Sequence, residues 1–249
     1  MNLRFEAVLA LSVILAACGG NQPATSETQG TAPGTSNTQP TTQKTALVRY
    51  INAIPSSNSA QNQTDLWFGD MKAFSNVAYK QVTPYMAVPA ESHDFKLQTA
   101  GNTQPTALAT TDKGLDAGHY YTIVAERKKD NSLTLDAIDD DLSAPDAGKA
   151  KVRVINAAVN LGGVDVIDPS GSLFQGVDDN SSTSYKQVDP VKGALEVRRS
   201  NKKTDVVRYP DLDVEAGKLY TLVIVGGESQ HFDVVPVTDQ TTVHTGVGD

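Results

Sequence analysis

Ser92-His93-Asp94 sets the three residue types of a nucleophilic triad side by side. A working triad needs its base within hydrogen-bond reach of the nucleophile. Along an extended strand, adjacent side chains point to opposite faces, so these three cannot converge. No G-x-S-x-G elbow, H-E-x-x-H pair or phosphate-binding loop occurs elsewhere. The expectation is a protein that is not an enzyme and carries no cofactor. Asp139-Asp140-Asp141 are oxygen donors of the type calcium takes, six to eight at a time, but they lack the ordered spacing of a calcium loop. A site there would stiffen the segment that follows; a solvated connector with charges that keep strand edges from pairing explains the run as well. Arg198, Arg199, Lys202 and Lys203 crowd one hairpin and would suit anionic glycans or lipid headgroups. Charged hairpin tips also serve solubility alone.

The only cysteine, Cys18, ends a leader that begins MNLRFEAVLALSVILAAC. Arg4 supplies a short basic start, partly cancelled by Glu6, and Ala7 to Ala16 is an apolar stretch of secretory-signal length, too short to span a bilayer. Leu15-Ala16-Ala17-Cys18 is similar to the lipobox of bacterial lipoproteins, in which small residues fit the peptidase cleft and the thiol accepts a diacylglyceryl group. The resemblance implies removal of residues 1–17 and a mature chain held in the membrane by several acyl chains (palmitate among them) on Cys18. Each buried CH₂ adds about 0.8 kcal/mol, so two or more chains anchor stably. Gly19 after the cysteine implies an outer-membrane destination, facing periplasm or surface, if the host is Gram-negative. Residues 19–45 contain no Val, Ile, Leu, Met, Phe, Trp or Tyr. With little apolar surface to bury, residues 18–45 read as the lipidated cysteine and a disordered Thr/Pro/Gly-rich tether.

The remaining charge pattern excludes one partner class. With 21 basic against 29 acidic residues and a net charge of −8, the chain lacks the concentrated basic surface that nucleic acid requires. One cysteine and 4 histidines leave neither an internal disulfide nor a zinc cluster of the usual kind.

Positioning falls to a repeat. Val48-Arg49-Tyr50-Ile51-Asn52-Ala53 returns as Val152-Arg153-Val154-Ile155-Asn156-Ala157, and Asp65-Leu66 as Asp165-Val166. Phe74-Ser75-Asn76-Val77 returns as Phe174-Gln175-Gly176-Val177, and Tyr85 and Val88 as Tyr185 and Val188. The offset drifts from 104 to 100 to 99, as short loop indels would produce. Phe95 and Leu97 alternate with Lys96 and Gln98, as Leu195 and Val197 do with Glu196 and Arg198. That period of two marks strands, and turn clusters such as Ala100-Gly101-Asn102 and Pro169-Ser170-Gly171 divide them. Each copy offers roughly seven or eight short strands, the size of an immunoglobulin-like sandwich. Leu115-x-Ala117-Gly118-x-x-Tyr121 and Val214-x-Ala216-Gly217-x-x-Tyr220 resemble the corner of Greek-key sandwiches, where the tyrosine hydroxyl bonds back to upstream backbone. Tyr121 and Tyr220 are therefore assigned structural roles. In Thr64-Asp65-Leu66-Trp67-Phe68 the core parity goes to Leu66 and Phe68. Trp67 then points outward, as a stacking surface or beneath the loop from Ser56 to Gln63.

Together, the pattern V-R-V-I-N-A, then D-V, F-x-x-V, Y-x-x-V and the A-G-x-x-Y-T corner resembles the domain-of-unknown-function 4397 family over nearly all of residues 46–237, twice. The resemblance implies paired β-sandwich modules of bacterial surface and secreted proteins, and no established activity. The expected architecture is all-β: two tandem immunoglobulin-like antiparallel β-sandwich domains, 46–141 and 150–237, joined by a linker at 142–149 and followed by a tail at 238–249. The expected role is that of a lipid-anchored cell-envelope protein displaying the two modules, for binding or structure, with a glycan or protein as partner. Two alternatives stand beside it, an accessory envelope hydrolase and a calcium-stiffened spacer.

Overall fold

A computed structural model describes residues 44–55, 63–102, 106–227, 231–239 and 243–244. The leader, Cys18, the tether and most of the Ser56–Gln63 loop lie outside the described residues. The first copy of the repeat forms β1 (Thr45–Asn52), β2 (Gln63–Phe68), β3 (Met71–Ala78), β4 (Tyr85–Pro89), β5 (Ser92–Thr99), β6 (Ala109–Gly114), β7 (Tyr120–Arg127) and β8 (Leu133–Asp140). The second forms β9 (Ala150–Asn156), β10 (Val164–Asp168), β11 (Gly171–Val177), β12 (Ser181–Ser182), β13 (Lys186–Val188), β14 (Val191–Arg199), β15 (Asp205–Val214), β16 (Leu219–Gly226) and β17 (Phe232–Asp239). A last strand, β18 (Val243–His244), follows. Among the described residues there is no helix.

Each copy folds into two sheets with matching strand orders. The inner sheets run β4-β1-β7-β8 and β12/β13-β9-β16-β17; the outer ones run β3-β2-β5-β6 and β11-β10-β14-β15. Pairing is antiparallel except where β1 meets β7 and β9 meets β16, which run parallel, and where β18 adds to the β4 edge. The alternation expected of β2 and β5 is realised: Leu66, Phe68, Phe95 and Leu97 are buried in the first core. Val166, Leu195 and Val197 fill the second. The molecule is all-β, two sandwiches built on one plan.

Several repeated residues hold that plan in place. The Asp65 carboxylate accepts the Asn76 N–H at 2.8 Å, and the Asp165 carboxylate accepts the Gly176 N–H at 2.9 Å. Both acceptors fix a bulge where φ is positive, 54° at Asn76 and 63° at Gly176. These are the residue types that tolerate the left-handed region at least cost. Asn52 and Asn156 end β1 and β9 and stitch sheet to sheet, donating to the Val77 and Val177 carbonyls at 2.8 and 3.0 Å. At the corners, the Tyr121 hydroxyl accepts the Asp116 N–H at 2.9 Å, and the Tyr220 hydroxyl accepts the Glu215 N–H at 3.0 Å. Gly118 and Gly217 turn the chain there at φ 79° and 81°.

The inner strands carry a second apolar face. Every residue of β9 and of β16 is buried, as in strands covered on both sides. Ala46, Val48 and Tyr50 face the first core, while Ile51 and Ala53 join Val124, Ile155, Ala157, Val223 and Val225 in a third cluster between the two sandwiches. The inner sheets therefore stack on each other, and residues 42–249 form one compact unit of four layered sheets.

Candidate functional site

The seam between the inner sheets holds four charges that leave water together. Arg49 on β1 and Arg153 on β9 are repeat equivalents; so are Asp140 and Asp239, the last residues of β8 and β17. Their side chains are at most 3% exposed. The ion pairs cross between the sandwiches: Arg49 Nη1 lies 2.6 Å from Asp239, and Arg153 Nη2 lies 2.6 Å from Asp140. Arg49 Nε donates to the Thr122 hydroxyl at 2.9 Å and Nη2 to the Thr221 hydroxyl at 3.3 Å. Arg153 repeats this with the threonines exchanged, Nε to Thr221 at 2.9 Å and Nη2 to Thr122 at 3.1 Å. Each threonine hydroxyl then donates to its own carboxylate, Thr122 to Asp140 at 2.6 Å and Thr221 to Asp239 at 2.8 Å. One donor and two acceptor positions are thus filled on each hydroxyl, its full capacity.

Two tyrosines close the network. The Tyr85 hydroxyl donates to Asp140 at 2.6 Å and the Tyr185 hydroxyl to Asp239 at 2.9 Å. Their rings lie under the guanidinium groups, 4.9 Å from Arg49 and 4.7 Å from Arg153. Burial pushes both phenols above their usual range, against the pull of the arginines. Burial acts to lower the Arg49 pKa, but Asp239, with Tyr85 and Asp140, more than offsets it, and the guanidinium stays charged. Two positive and two negative charges face each other in a buried place: Tyr85 and Thr122, and Tyr185 and Thr221, hydrogen-bond one oxygen of each carboxylate, while the other oxygen meets its arginine as an ion pair. The arrangement locks two faces together.

The two ends of the seam differ. At one end Tyr79, Val225 and Val235 belong to the apolar cluster, flanked by a 2.7 Å ion pair between Lys80 and Asp233. The repeat places Asp179, Glu126 and Asp136 at the equivalent positions of the other end. There Glu126 is 2% exposed, the Asn180 amide donates to the Arg127 carbonyl at 3.4 Å, and Lys129 sits 3.0 Å from Asp179. A cleft opens beside each end, of about 220 Å³ along Thr83-Pro84-Tyr85 and Val237-Thr238, and of about 330 Å³ along Asp136 to Asp139 and Ser182-Thr183.

The sequence-derived candidates scatter. Asp139 turns to Lys113 at 2.6 Å, Asp140 enters the seam, and Asp141 bonds Lys151 at 3.0 Å. The Ser143 hydroxyl and then Lys151 hold Asp141 down at about 2. Among the described residues no three His, Cys, Asp or Glu side chains gather as metal ligands do. The basic hairpin also divides. Arg198 pairs with Glu196 at 2.5 Å and Arg199 donates to the Leu161 carbonyl, while Lys202 and Lys203 stay exposed at the tip. Trp67 is half-buried on the outward face of β2, with Lys72 Nζ 5.3 Å from its ring centre. His93 lies in β5 with its Nε2 2.8 Å from Glu91. The seam residues were missed as a site, although Arg49 and Arg153 sit in the strongest repeat match. The available signal was the run Leu219 to Val225, apolar but for Thr221, which marks a strand covered on both faces.

Comparison with known proteins adds a family and little more. No curated protein matches the sequence. Among solved structures, the Bacillus anthracis TIE protein is similar at 8% identity and a TM-score of 0.24, covering 74% of this chain and 34% of its own. A leucine-rich repeat protein from Bacteroides thetaiotaomicron is similar at 12% identity and a TM-score of 0.20, with 72% and 26% covered. This chain therefore spans about a third or less of either protein, and neither likeness carries an argument. The sequence itself does better: residues 46–167, the whole first sandwich with β9 and most of β10, match the family described as Domain of unknown function (DUF4397).

Proposed function

We propose that this chain is a lipid-anchored envelope protein in which the two sandwiches act as a single rigid body for display or spacing. Its partner, a glycan or another envelope protein, would meet the outer sheets or the hairpin tips. The observation that carries the reading is the seam, where the Arg49–Asp239 and Arg153–Asp140 pairs and an apolar cluster hold the halves face to face. A protein that needed its modules to swing freely would not bury four charges between them. The lipobox-like Leu15-Ala16-Ala17-Cys18 supports the anchor.

Rigidity is testable with two spin labels. Cys18 is the only native thiol, so Cys18→Ser frees the chain for Thr110→Cys and Asp211→Cys, exposed positions on the two outer sheets. A single narrow distance distribution by pulsed electron paramagnetic resonance is expected. A broad one would mean independent modules and overturn the reading. Crosslinking of the intact protein in its native envelope would then identify the partner.

A further inference from the structure

The acidic end of the seam has no structural reason to be acidic. Its repeat counterpart shows that Tyr79, Val225 and Val235 can close the same junction with apolar contacts. All three positions have exchanged those residues for Asp179, Glu126 and Asp136. Glu126 is the most enclosed of these, on the seam face of β7 two residues after Val124.

We propose that Glu126 is a proton-operated latch on one end of the seam. Protonated, it lies dry against the Asp178–Ser182 turn and closes that end; ionised, it draws water in and lifts the turn, while the arginine–aspartate network holds the rest. This inference rests on the reading of the halves as one body and adds a control to it.

The surrounding charges favour this behaviour. On β8, Asp136 pairs with Val124, diagonal to Glu126, and its charge opposes ionisation; from the second sandwich Asp179 does the same, its charge shared with Lys129. Lys128, in the turn after β7, and the Asn180 amide pull the other way. Arg127 turns its Nη1 to the Asn131 carbonyl. Deeper in the seam Arg49 and Arg153 are engaged by Asp239 and Asp140. The remaining side chains of β9 and β16 in the central cluster are apolar, Ile155, Val223 and Val225 among them. Burial, more than any neighbour, pushes the Glu126 carboxyl up to about 7. The sign follows from linkage. A carboxyl raised on closure favours the closed state fully below its free value near 4.5, and that contribution is lost as pH rises through about 7.

The test uses the whole chain. Hydrogen exchange of the 178–184 segment is measured at pH 5.5 and 8.5 and corrected for the intrinsic rate. Protection should fall roughly tenfold or more at the higher pH, and the wild-type Glu126 carboxyl should titrate by carbon NMR near neutrality. Glu126→Gln should keep the segment protected at both values; Glu126→Val, the residue of the second copy, should do the same and serves if the glutamine variant folds poorly. A Glu126 midpoint in the ordinary carboxylate range, or equal pH dependence in wild type and both variants, would overturn the latch. Spin-label distances that broaden at both pH values would instead point to failure of the rigid-body reading.

Discussion

Asp140 accepts from Tyr85 and Thr122 and faces Arg153, and Asp239 repeats the pattern with Tyr185, Thr221 and Arg49. Such a closed set is costly to break by halves. Asp140→Asn leaves the Arg153 guanidinium buried without its counter-charge, and removing one partner of a buried pair costs about 3–5 kcal/mol. Urea unfolding of the full chain should show that loss, and Asp239→Asn should show a similar one. A change below about 1 kcal/mol in both would return these groups to the status of ordinary surface pairs. Neither carboxylate was legible as a seam group beforehand. Asp140 sits in a run of three aspartates that reads as a solvated connector, and nothing in the local composition separates the one that turns inward from the two that do not. Trp67 was easier, because the parity of Leu66 and Phe68 alone sends it to the outer face.

At the scale of the strand, the repeat carries more information than either copy alone. Asn76 and Gly176 occupy the same bulge, and the pair of residue types is itself a signature of positive φ. Asn76→Ala should cost about 1 kcal/mol, since a β-carbon without a local hydrogen-bonding partner is strained in that region, whereas Asn76→Gly should be neutral or slightly stabilising. Thermal melts of the three proteins distinguish these outcomes; an alanine variant as stable as the wild type would show that the bulge relaxes. The bulge, the corners and the core alternation were all open to sequence reading, because each depends on a few neighbouring residues. Sheet-on-sheet stacking was not, since the inner face of β1 reads Leu47, Arg49, Ile51. An arginine in mid-strand argues for solvent until its partner, nearly two hundred residues away in sequence, is known.

For the molecule as a whole, the proposed anchor on Cys18 makes a prediction of its own, apart from the seam. Cys18→Ser should abolish incorporation of an alkyne-tagged fatty acid and shift the protein out of the detergent-rich phase. Labelling that persists in that variant would remove the lipoprotein assignment without touching the fold. The pseudo-twofold arrangement of Arg49, Asp140, Arg153 and Asp239 has the form of a homodimer interface written into one chain. The asymmetry introduced at Glu126 is available only once the two copies can diverge.

The placement of β1 has a mechanical consequence. If the proposed lipid anchor holds the chain, Thr45, the first residue of β1, is where a pull from the membrane would enter the folded body. β1 is not an edge strand: β4 pairs along one side and β7, parallel, along the other, with one core beneath it and the seam above. Tension along its axis loads the hydrogen bonds on both sides in shear, all at once, where an edge hairpin pulled sideways would give way one bond at a time. The body so attached could bear drag on whatever it holds while its inner strands stay in register.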